Sequence, residues 1–225
     1  MFFLRKNKSF PAAGKRVIMI IGGSGVLGSA FLANIADDVF VINISRHKKI
    51  IGKNILNYRW DVLKNPEKMM QRLARIIGSV DVLITMAYDR HFSSIENLNR
   101  RRFLREIELD TFSPMQISML CAKYFWSRDT RDTNIKKGRK VITISSGAAF
   151  EKSSRPELAS YSGAKAALTV MTEYLHDYLF STCGVSAHVI APGALKDRET
   201  KERTVAALWK LQAMPLLQFT LDKIF

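Results

Sequence analysis

The feature that most constrains the fold is an apolar run, Val17–Ile21, that passes directly into the glycine-rich segment Gly22–Gly28. A near-continuous apolar run of this length is typical of a strand buried on both faces of a parallel sheet. Apolar residues then recur at helical spacing over Ser29–Asp37, so we predict a helix from about Gly28. Glycines between a strand and a helix allow backbone N–H groups to approach a phosphate. The segment therefore predicts a phosphate-binding turn, with an ordinary strand-to-helix turn as the alternative.

Further runs of strand length alternate with helical patterns along the chain. The predicted strands are Val39–Ile44, Val80–Thr85, Val141–Ser145 and Val185–Ile190, the predicted helices are Pro66–Ile77, Phe103–Trp126 and Tyr161–Ser181, and Ser127–Lys140 is predicted to be a charged surface loop. Strands that alternate with helices imply right-handed crossovers and a parallel sheet covered on both faces. We therefore predict one α/β domain with a doubly wound, Rossmann-like sheet over 15–225, after a flexible basic leader over 1–14. Ligands of such sheets bind at the carboxyl ends of the strands.

The end of the second predicted strand favours NADP over NAD as a cofactor. NAD sites usually place an acidic residue here to accept the ribose hydroxyls. This chain has no acidic residue between Asp38 and Asp61, and instead has Ser45 and Arg46 followed by further basic residues. A guanidinium suits a 2′-phosphate. The alternative interpretation is a solvated basic loop.

A tyrosine and a lysine lie four residues apart in the helix predicted after Val141–Ser145. This spacing puts Tyr161 and Lys165 on one face of the helix. A free phenol has a pKa of about 10, and a neighbouring ammonium is expected to lower it, which suits the phenol to acid–base chemistry. Ser146, or Ser145, is placed to hydrogen-bond an oxygen that changes charge. Taken alone, such a pair is more often simply a helix face.

Six motifs in the same order resemble the short-chain dehydrogenase/reductases, over roughly Arg16 to Lys196. They are Gly22–Gly28, Asp61-Val62, Val80–Ile84, Ile144–Ser146, Tyr161–Lys165 and Pro192-Gly193. The resemblance implies an oxidoreductase in which Tyr161 is the acid–base residue, Lys165 binds the nicotinamide ribose and Ser146 orients a substrate carbonyl. It also implies adenine contacts from Asp61 and a nicotinamide pocket lined by Pro192-Gly193. The full implied cofactor set is Gly22, Ser24, Gly25, Val26, Leu27, Gly28, Ser45, Arg46, Asp61, Val62, Ala87, Tyr161, Lys165, Pro192 and Gly193.

The chain also departs from the family pattern at three places. Thr85-Met86-Ala87-Tyr88 stands where the family typically has Asn-Asn-Ala-Gly, so only the alanine is retained. Asp110 stands at the place of the helix asparagine that supports the family's proton relay, and we include it among the catalytic candidates. The family's seventh strand has only a short counterpart, Leu216–Leu221.

The charge balance is strongly positive, with 35 Lys and Arg against 20 Asp and Glu and a formal net charge of +15. Such an excess invites a nucleic-acid or membrane-surface interpretation. The basic residues do not form a recognised nucleic-acid-binding motif. No apolar run approaches the ~20 residues that a membrane span requires. The 47% hydrophobic content argues against intrinsic disorder. Cys121 and Cys183 are predicted to be reduced thiols of a cytoplasmic protein, and the histidines lack partners at metal-ligand spacing.

Two functions of different classes remain. The first is an NADP-dependent oxidoreductase that transfers a hydride between nicotinamide and a small-molecule carbonyl or alcohol. The second is a catalytically weak or inactive regulatory protein that binds NADP and presents a basic surface to a partner. The resemblance further implies a homodimer or homotetramer that pairs the helices predicted over Phe103–Trp126 and Tyr161–Ser181.

Overall fold

Six parallel strands form one sheet in the order β3-β2-β1-β4-β5-β6 in the computed structural model. The structure describes residues 14–33, 35–46, 50–88 and 92–213. The strands are β1 (Arg16–Ile21), β2 (Val39–Ser45), β3 (Ile55–Arg59), β4 (Val82–Thr85), β5 (Lys140–Ile144) and β6 (Ser186–Ile190). From β1 the strands are added toward one edge of the sheet, up to β3, and from β4 they are added toward the other edge. Doubly wound sheets bind ligands at this switch point between β1 and β4. The predicted α/β, Rossmann-like fold is confirmed.

Seven α-helices cover the sheet within the described ranges. They are α1 (Val26–Leu32), α2 (Pro66–Ile76), α3 (Arg100–Ile107), α4 (Ser113–Tyr124), α5 (Arg131–Lys136), α6 (Ala159–Cys183) and α7 (Arg198–Ala213). On one face, the side chains of α1 and α7 pack on alternate residues of the central strands, such as Ile18 and Ile20. On the other face, the side chains of α2, α4 and α6 pack on the intervening residues, such as Val17 and Met19. Burial on both faces explains why the central strands are apolar throughout.

Strand β3 was missed in the sequence because it lies at the edge of the sheet. Its residues are half-buried or exposed, and its sequence, Ile-Leu-Asn-Tyr-Arg, contains no continuous apolar run. Helix α1 begins at Val26, two residues before the predicted start, and β4 begins at Val82 rather than Val80. These differences do not alter the topology.

The prediction of a charged surface loop over Ser127–Lys140 is wrong. The segment contains α5, and its two last residues, Arg139 and Lys140, are each only 1% exposed. Arg139 pairs with Asp129 at 2.7 Å and donates a hydrogen bond to Ser79 at 2.9 Å. A buried arginine is tolerated because several acceptors satisfy its guanidinium. The pattern looked solvated because residue type alone does not show that partners are present.

Two other predictions lie partly or wholly outside the described residues: the basic leader over 1–14, of which only Gly14 is described, and the strand counterpart Leu216–Leu221. Cys121 and Cys183 are both free thiols, the first buried and the second half-buried. None of the helices in the described ranges has the length and apolar character needed to span a membrane.

Candidate active site

Helix α6 carries Tyr161 and Lys165 on the face that meets the end of β5. Lys165 is 3% exposed, and its Nζ donates a hydrogen bond to the carbonyl oxygen of Ile144 at 3.0 Å. The same Nζ lies 5.7 Å from the centroid of the Tyr161 ring. The four-residue spacing therefore places both side chains together, as the sequence predicted.

The two serines that follow β5 have different surroundings. Ser145 is buried, and its hydroxyl donates to the Lys165 carbonyl oxygen at 3.0 Å and lies 2.8 Å from the Thr169 hydroxyl. The Ser146 hydroxyl instead accepts from the Ala148 N–H at 3.3 Å and lies near enough to the Tyr161 phenol to lower the pKa of that group. Ser145 thus attaches β5 to α6, whereas Ser146 faces the phenol. The sequence left both serines open, and the structure brings Ser146 to the tyrosine.

The electrostatics of Tyr161 run opposite to the sequence expectation. Burial is the largest influence and raises the pKa of the phenol to about 12, although the hydrogen bond from Ser146 lowers it. The negative charges of Asp110 and Glu106 raise that pKa further. Burial also lowers the pKa of Lys165, and the same two acidic residues oppose this effect. The phenol is therefore protonated at neutral pH in this arrangement, because desolvation outweighs any help from the lysine.

Asp110 lies in a π-helical turn, Glu108–Phe112, that joins α3 to α4. The turn is closed by a hydrogen bond from the Ser113 N–H to the Glu108 carbonyl, five residues earlier. Pro114 explains its location, because proline lacks an N–H and its ring displaces the carbonyl four residues before it, here that of Asp110. Such π turns occur frequently at functional sites. The turn places Asp110, which is fully buried, on the side of α6 that carries Lys165.

A second buried acid, Glu106, was missed by the sequence analysis. It is 2% exposed and precedes Asp110 by four residues, so the two lie on neighbouring turns. Both influence the pKa values of Tyr161 and Lys165. The Thr111 hydroxyl donates to the Ala164 carbonyl oxygen at 2.8 Å, which fixes the π turn against α6. Glu106 could have been found as an acid on the apolar side of an otherwise basic helix.

Two aromatic rings stand beside the phenol. Phe92 and Tyr88 make edge-to-face contacts with Tyr161, with ring centroids 5.2 Å and 6.4 Å away. Tyr88 is 38% exposed and stands where the family typically has a glycine. The Tyr161 ring is therefore bordered by aromatic surface.

The glycine-rich segment forms a turn next to Ala87. Gly22 has a φ of +88°, and a Cβ at this position would lie 2.7 Å from the Cα of Ala87. A side chain is excluded there by both conformation and space. At Gly25, by contrast, a Cβ would meet only the Gly22 carbonyl oxygen, at 3.4 Å. Gly25 begins α1 without a side-chain cap. The surface over Gly25 is therefore open, as a dinucleotide phosphate requires.

The rest of the turn presents a mixture of buried and exposed groups. Leu27 and Gly28 are buried, and a Cβ at Gly28 would overlap the Gly23 carbonyl oxygen, so these two residues pack the turn. Ser24 is half-buried and Val26 is 55% exposed. Packing alone thus explains part of the glycine signal.

The remaining predicted residues lie at the same edge of the sheet. Ser45 ends β2, and Arg46 follows it with an exposed side chain. Asp61 is half-buried, and its Oδ1 accepts a hydrogen bond from the Leu63 N–H at 3.2 Å, while Val62 is buried. Pro192 and Gly193 lie beside Ser146, since the Gly147 N–H donates to the Pro192 carbonyl oxygen at 2.9 Å. In the described ranges no group of three acidic, histidine or cysteine side chains is placed to hold a metal ion.

Fold and site together define a Rossmann-type domain with a serine, a tyrosine and a lysine at the carboxyl edge of its sheet. The profile of the short chain dehydrogenase family matches residues 16–207, and the chain belongs to that family. Family members bind a nicotinamide cofactor and act on small molecules.

The individual relatives have low sequence identity to this chain. An uncharacterised oxidoreductase of Haemophilus influenzae is 26% identical over 89% of this chain and 75% of its own length. A variant short-chain dehydrogenase/reductase of Serratia marcescens is similar in structure with a TM-score of 0.72, 18% identity and coverage of 88% and 89%. An NADH-dependent reductase complexed with NAD has a TM-score of 0.69, 20% identity and coverage of 80% and 79%. At these identities the solved structures show a shared fold.

Proposed function

We propose that the protein is an NADP-dependent oxidoreductase that transfers a hydride between nicotinamide and a carbonyl or alcohol carbon. The observation that carries the proposal is the grouping of Ser146, Tyr161 and Lys165 at the carboxyl end of β5. Lys165 is buried in that grouping, and a fully desolvated lysine is costly to retain without a use for its charge.

In the proposed reaction Tyr161 exchanges a proton with the substrate oxygen. Because burial raises the phenol pKa to about 12, the proton is present at neutral pH and is available to a carbonyl oxygen that gains negative charge. In this proposal the Ser146 hydroxyl, which lies near the phenol, donates to the same oxygen. These features favour carbonyl reduction as the direction at neutral pH. The bound nicotinamide supplies the hydride.

The residues present fit a dinucleotide. Gly25 leaves open surface at the start of α1, and Pro192-Gly193 closes on the loop that carries Ser146. Arg46 supports NADP over NAD because it is exposed at the end of β2, in a stretch without acidic residues. Its guanidinium is suited to a phosphate on the adenosine ribose.

The catalytic proposal is tested by a screen of carbonyl compounds with NADPH, followed by Tyr161→Phe in the presence of the best substrate. Loss of the phenol is expected to reduce turnover by about a hundredfold or more while NADPH remains bound. Tyr178→Phe is the matched control, because Tyr178 lies on the same helix with its side chain in solvent. Full turnover in Tyr161→Phe would show that the assigned role is wrong. NADPH binding without turnover of any compound would favour the regulatory alternative.

The cofactor preference is tested by comparing NADPH and NADH dissociation constants. We expect the wild type to bind NADPH more tightly and Arg46→Ala to reduce the difference by about tenfold, as for one charged hydrogen bond. Equal binding of both cofactors by the wild type would contradict the NADP assignment.

We also propose a homodimer or homotetramer. Apolar side chains on neighbouring helices are exposed in the single chain: Phe112 before α4, Met119 on α4, and Val170, Met171 and Tyr174 on α6. Exposed apolar surface of this kind marks an interface with another protein. Sedimentation should find more than one copy, and Val170→Glu together with Tyr174→Glu should yield monomers. A monomeric wild type would contradict this assignment.

A further inference from the structure

The edge strand β3 makes hydrogen bonds to Ile50, which follows β2 in the chain. The Asn57 side chain makes a reciprocal pair of hydrogen bonds with the backbone of Ile50: its Nδ2 donates to the carbonyl oxygen at 2.8 Å, and its Oδ1 accepts from the N–H at 2.9 Å. One side chain thus replaces the backbone pairing that a longer strand would supply. The position of Ile50 is fixed relative to the sheet.

The same strand contacts Arg46, which directly follows β2. Arg59, the last residue of β3, donates from Nε to the carbonyl oxygen of Arg46 at 3.0 Å. Ser45 and Arg59 are paired in register across β2 and β3, so the contact lies at the carboxyl edge of the sheet. Side chains of β3 therefore make hydrogen bonds to the backbone of both Arg46 and Ile50.

A buried amide connects this arrangement to the glycine turn. Asn43 of β2 is fully buried, and its Nδ2 donates to the Oδ1 of Asn57 at 2.9 Å. Its Oδ1 would lie 2.6 Å from a Cβ placed on Gly23. The glycine turn, β2 and β3 are therefore joined through two asparagine side chains.

The charge around Arg59 points to an anion. Residues 39–60 contain five Lys or Arg and no Asp or Glu. Within the described part of the chain, no carboxylate is paired with either Arg46 or Arg59. A guanidinium has five N–H groups in a planar fork, and Arg59 uses its Nε on the Arg46 carbonyl. The fork is thereby oriented beside Arg46 rather than left to move freely.

We propose that Arg59 is a second cation for the phosphomonoester on the ribose of the cofactor, and that Asn57 is the positioning residue for Arg46. This inference rests on the NADP-dependent function proposed above, and it adds residues of β3 to Arg46, which follows β2. The dianionic phosphate is then bound by two guanidinium groups, those of Arg46 and Arg59, and not by one alone. The amide pair fixes Ile50, and the Arg59 Nε fixes the Arg46 carbonyl, on the same strand β3.

The test measures dissociation constants of NADPH and NADH for the wild type, Arg59→Ala and Asn57→Ala. We expect Arg59→Ala to weaken NADPH by about tenfold, as for one charged hydrogen bond, with NADH unchanged. Arg59→Lys should recover part of this loss. Lys53→Ala is the matched control: Lys53 lies in the same acid-free stretch but pairs with Asp37 at 3.4 Å in solvent, so both constants should stay the same. In the wild type, adenosine 2′,5′-bisphosphate should compete with NADPH more strongly than adenosine 5′-phosphate does. Arg59→Ala should remove this difference.

The outcomes separate this inference from the function beneath it. A wild type that prefers NADPH while Arg59→Ala leaves the ratio of the two constants unchanged would overturn the role of Arg59 alone. A wild type without any NADPH preference would overturn both proposals. For Asn57→Ala, a selective loss of NADPH affinity supports the positioning role, whereas equal weakening of both cofactors would reduce Asn57 to a structural residue. If Asn57→Ala does not fold, Asn57→Asp, which retains only the accepting half of the pair, replaces it.

Discussion

The Lys165 ammonium is bound to the carbonyl oxygen of Ile144, the last residue of β5, and lies beneath the ring of Tyr161. Helix α6, which carries Tyr161, is thus attached to the sheet by a side chain that lies next to the Tyr161 ring. A change at Lys165 is consequently expected to disturb the position of Tyr161.

Alkaline pH should destabilise the wild type through Tyr161. Its folded pKa of about 12 exceeds the usual value near 10, so the folded state holds the proton more tightly than the unfolded state. The stability due to this group is present below about pH 10 and is lost as the pH rises toward 12, by up to about 2 kcal/mol. Urea unfolding at several pH values should show this extra fall in the wild type and its absence in Tyr161→Phe. Parallel curves would contradict the prediction.

Asp110→Asn should make alcohol oxidation easier at moderately alkaline pH. The negative charge of Asp110 raises the pKa of Tyr161, so an uncharged amide lowers it and increases the phenolate that oxidation needs. We expect the pH–rate profile for oxidation to move to lower pH by about half a unit to one unit. Steady-state rates across pH test this, with Asp177→Asn, an exposed acid on α6, as the control. A shift in the opposite direction would show that Asp110 does not act through its charge.

Arg139→Leu should unfold the protein readily without altering the cofactor site. Arg139 is 1% exposed and pairs with Asp129 at 2.7 Å before the start of β5, at the edge opposite the candidate site. Asp129 is itself 31% exposed, so the loss falls mainly on the acceptors Asn134 and Ser79, and a buried acceptor left without its donor costs about 1–3 kcal/mol. Arg198→Ala removes an exposed pair with Glu202 and should leave the free energy of unfolding nearly unchanged. Denaturant titrations of both variants, with NADPH binding measured in parallel, distinguish a buried network from a surface one.

Acid should destabilise the protein through His188. Burial lowers the pKa of its imidazole to about 3, helped by the nearby charges of Lys140 and His176. The neutral form is therefore favoured in the folded state, and its contribution to stability is present above about pH 6.5 and is lost as the pH falls toward 3. His188→Asn is expected to flatten the acid limb of the stability curve by about 2–3 kcal/mol. An unchanged acid limb would mean that His188 is solvated.

The sequence predicted the elements whose burial is uniform and missed those that depend on partners. The central strands are apolar because both faces are covered, so their residues alone reveal them. Strand β3 has one free edge and polar residues such as Asn57, and only its neighbours make it a strand. Likewise Arg139 looked exposed in the sequence because nothing there shows that Asp129 and Ser79 converge on it.

The candidate site was predicted in its positions but not in its electrostatics. Helical spacing is enough to bring Tyr161 and Lys165 together, and the strand end before them brings Ser146 near. The direction in which the Tyr161 pKa moves depends mainly on burial, with smaller contributions from Asp110 and Glu106, which are distant in sequence. A rule based on sequence spacing does not include these effects of burial and of distant charges on a pKa.

The π turn at Glu108–Phe112 holds one residue more than an α-helical turn. Each residue of an α-helix advances the side chains by about 100° around the axis, and the wider π turn takes up the extra residue so that Ile117 and Cys121 still face the core. Deleting one residue there would allow regular α-helical winding with α4 in nearly the same phase, and it would remove the bulge in which Asp110 lies. The extra residue therefore serves the placement of Asp110, whereas an exposed side chain of the turn, such as Glu108, can be exchanged.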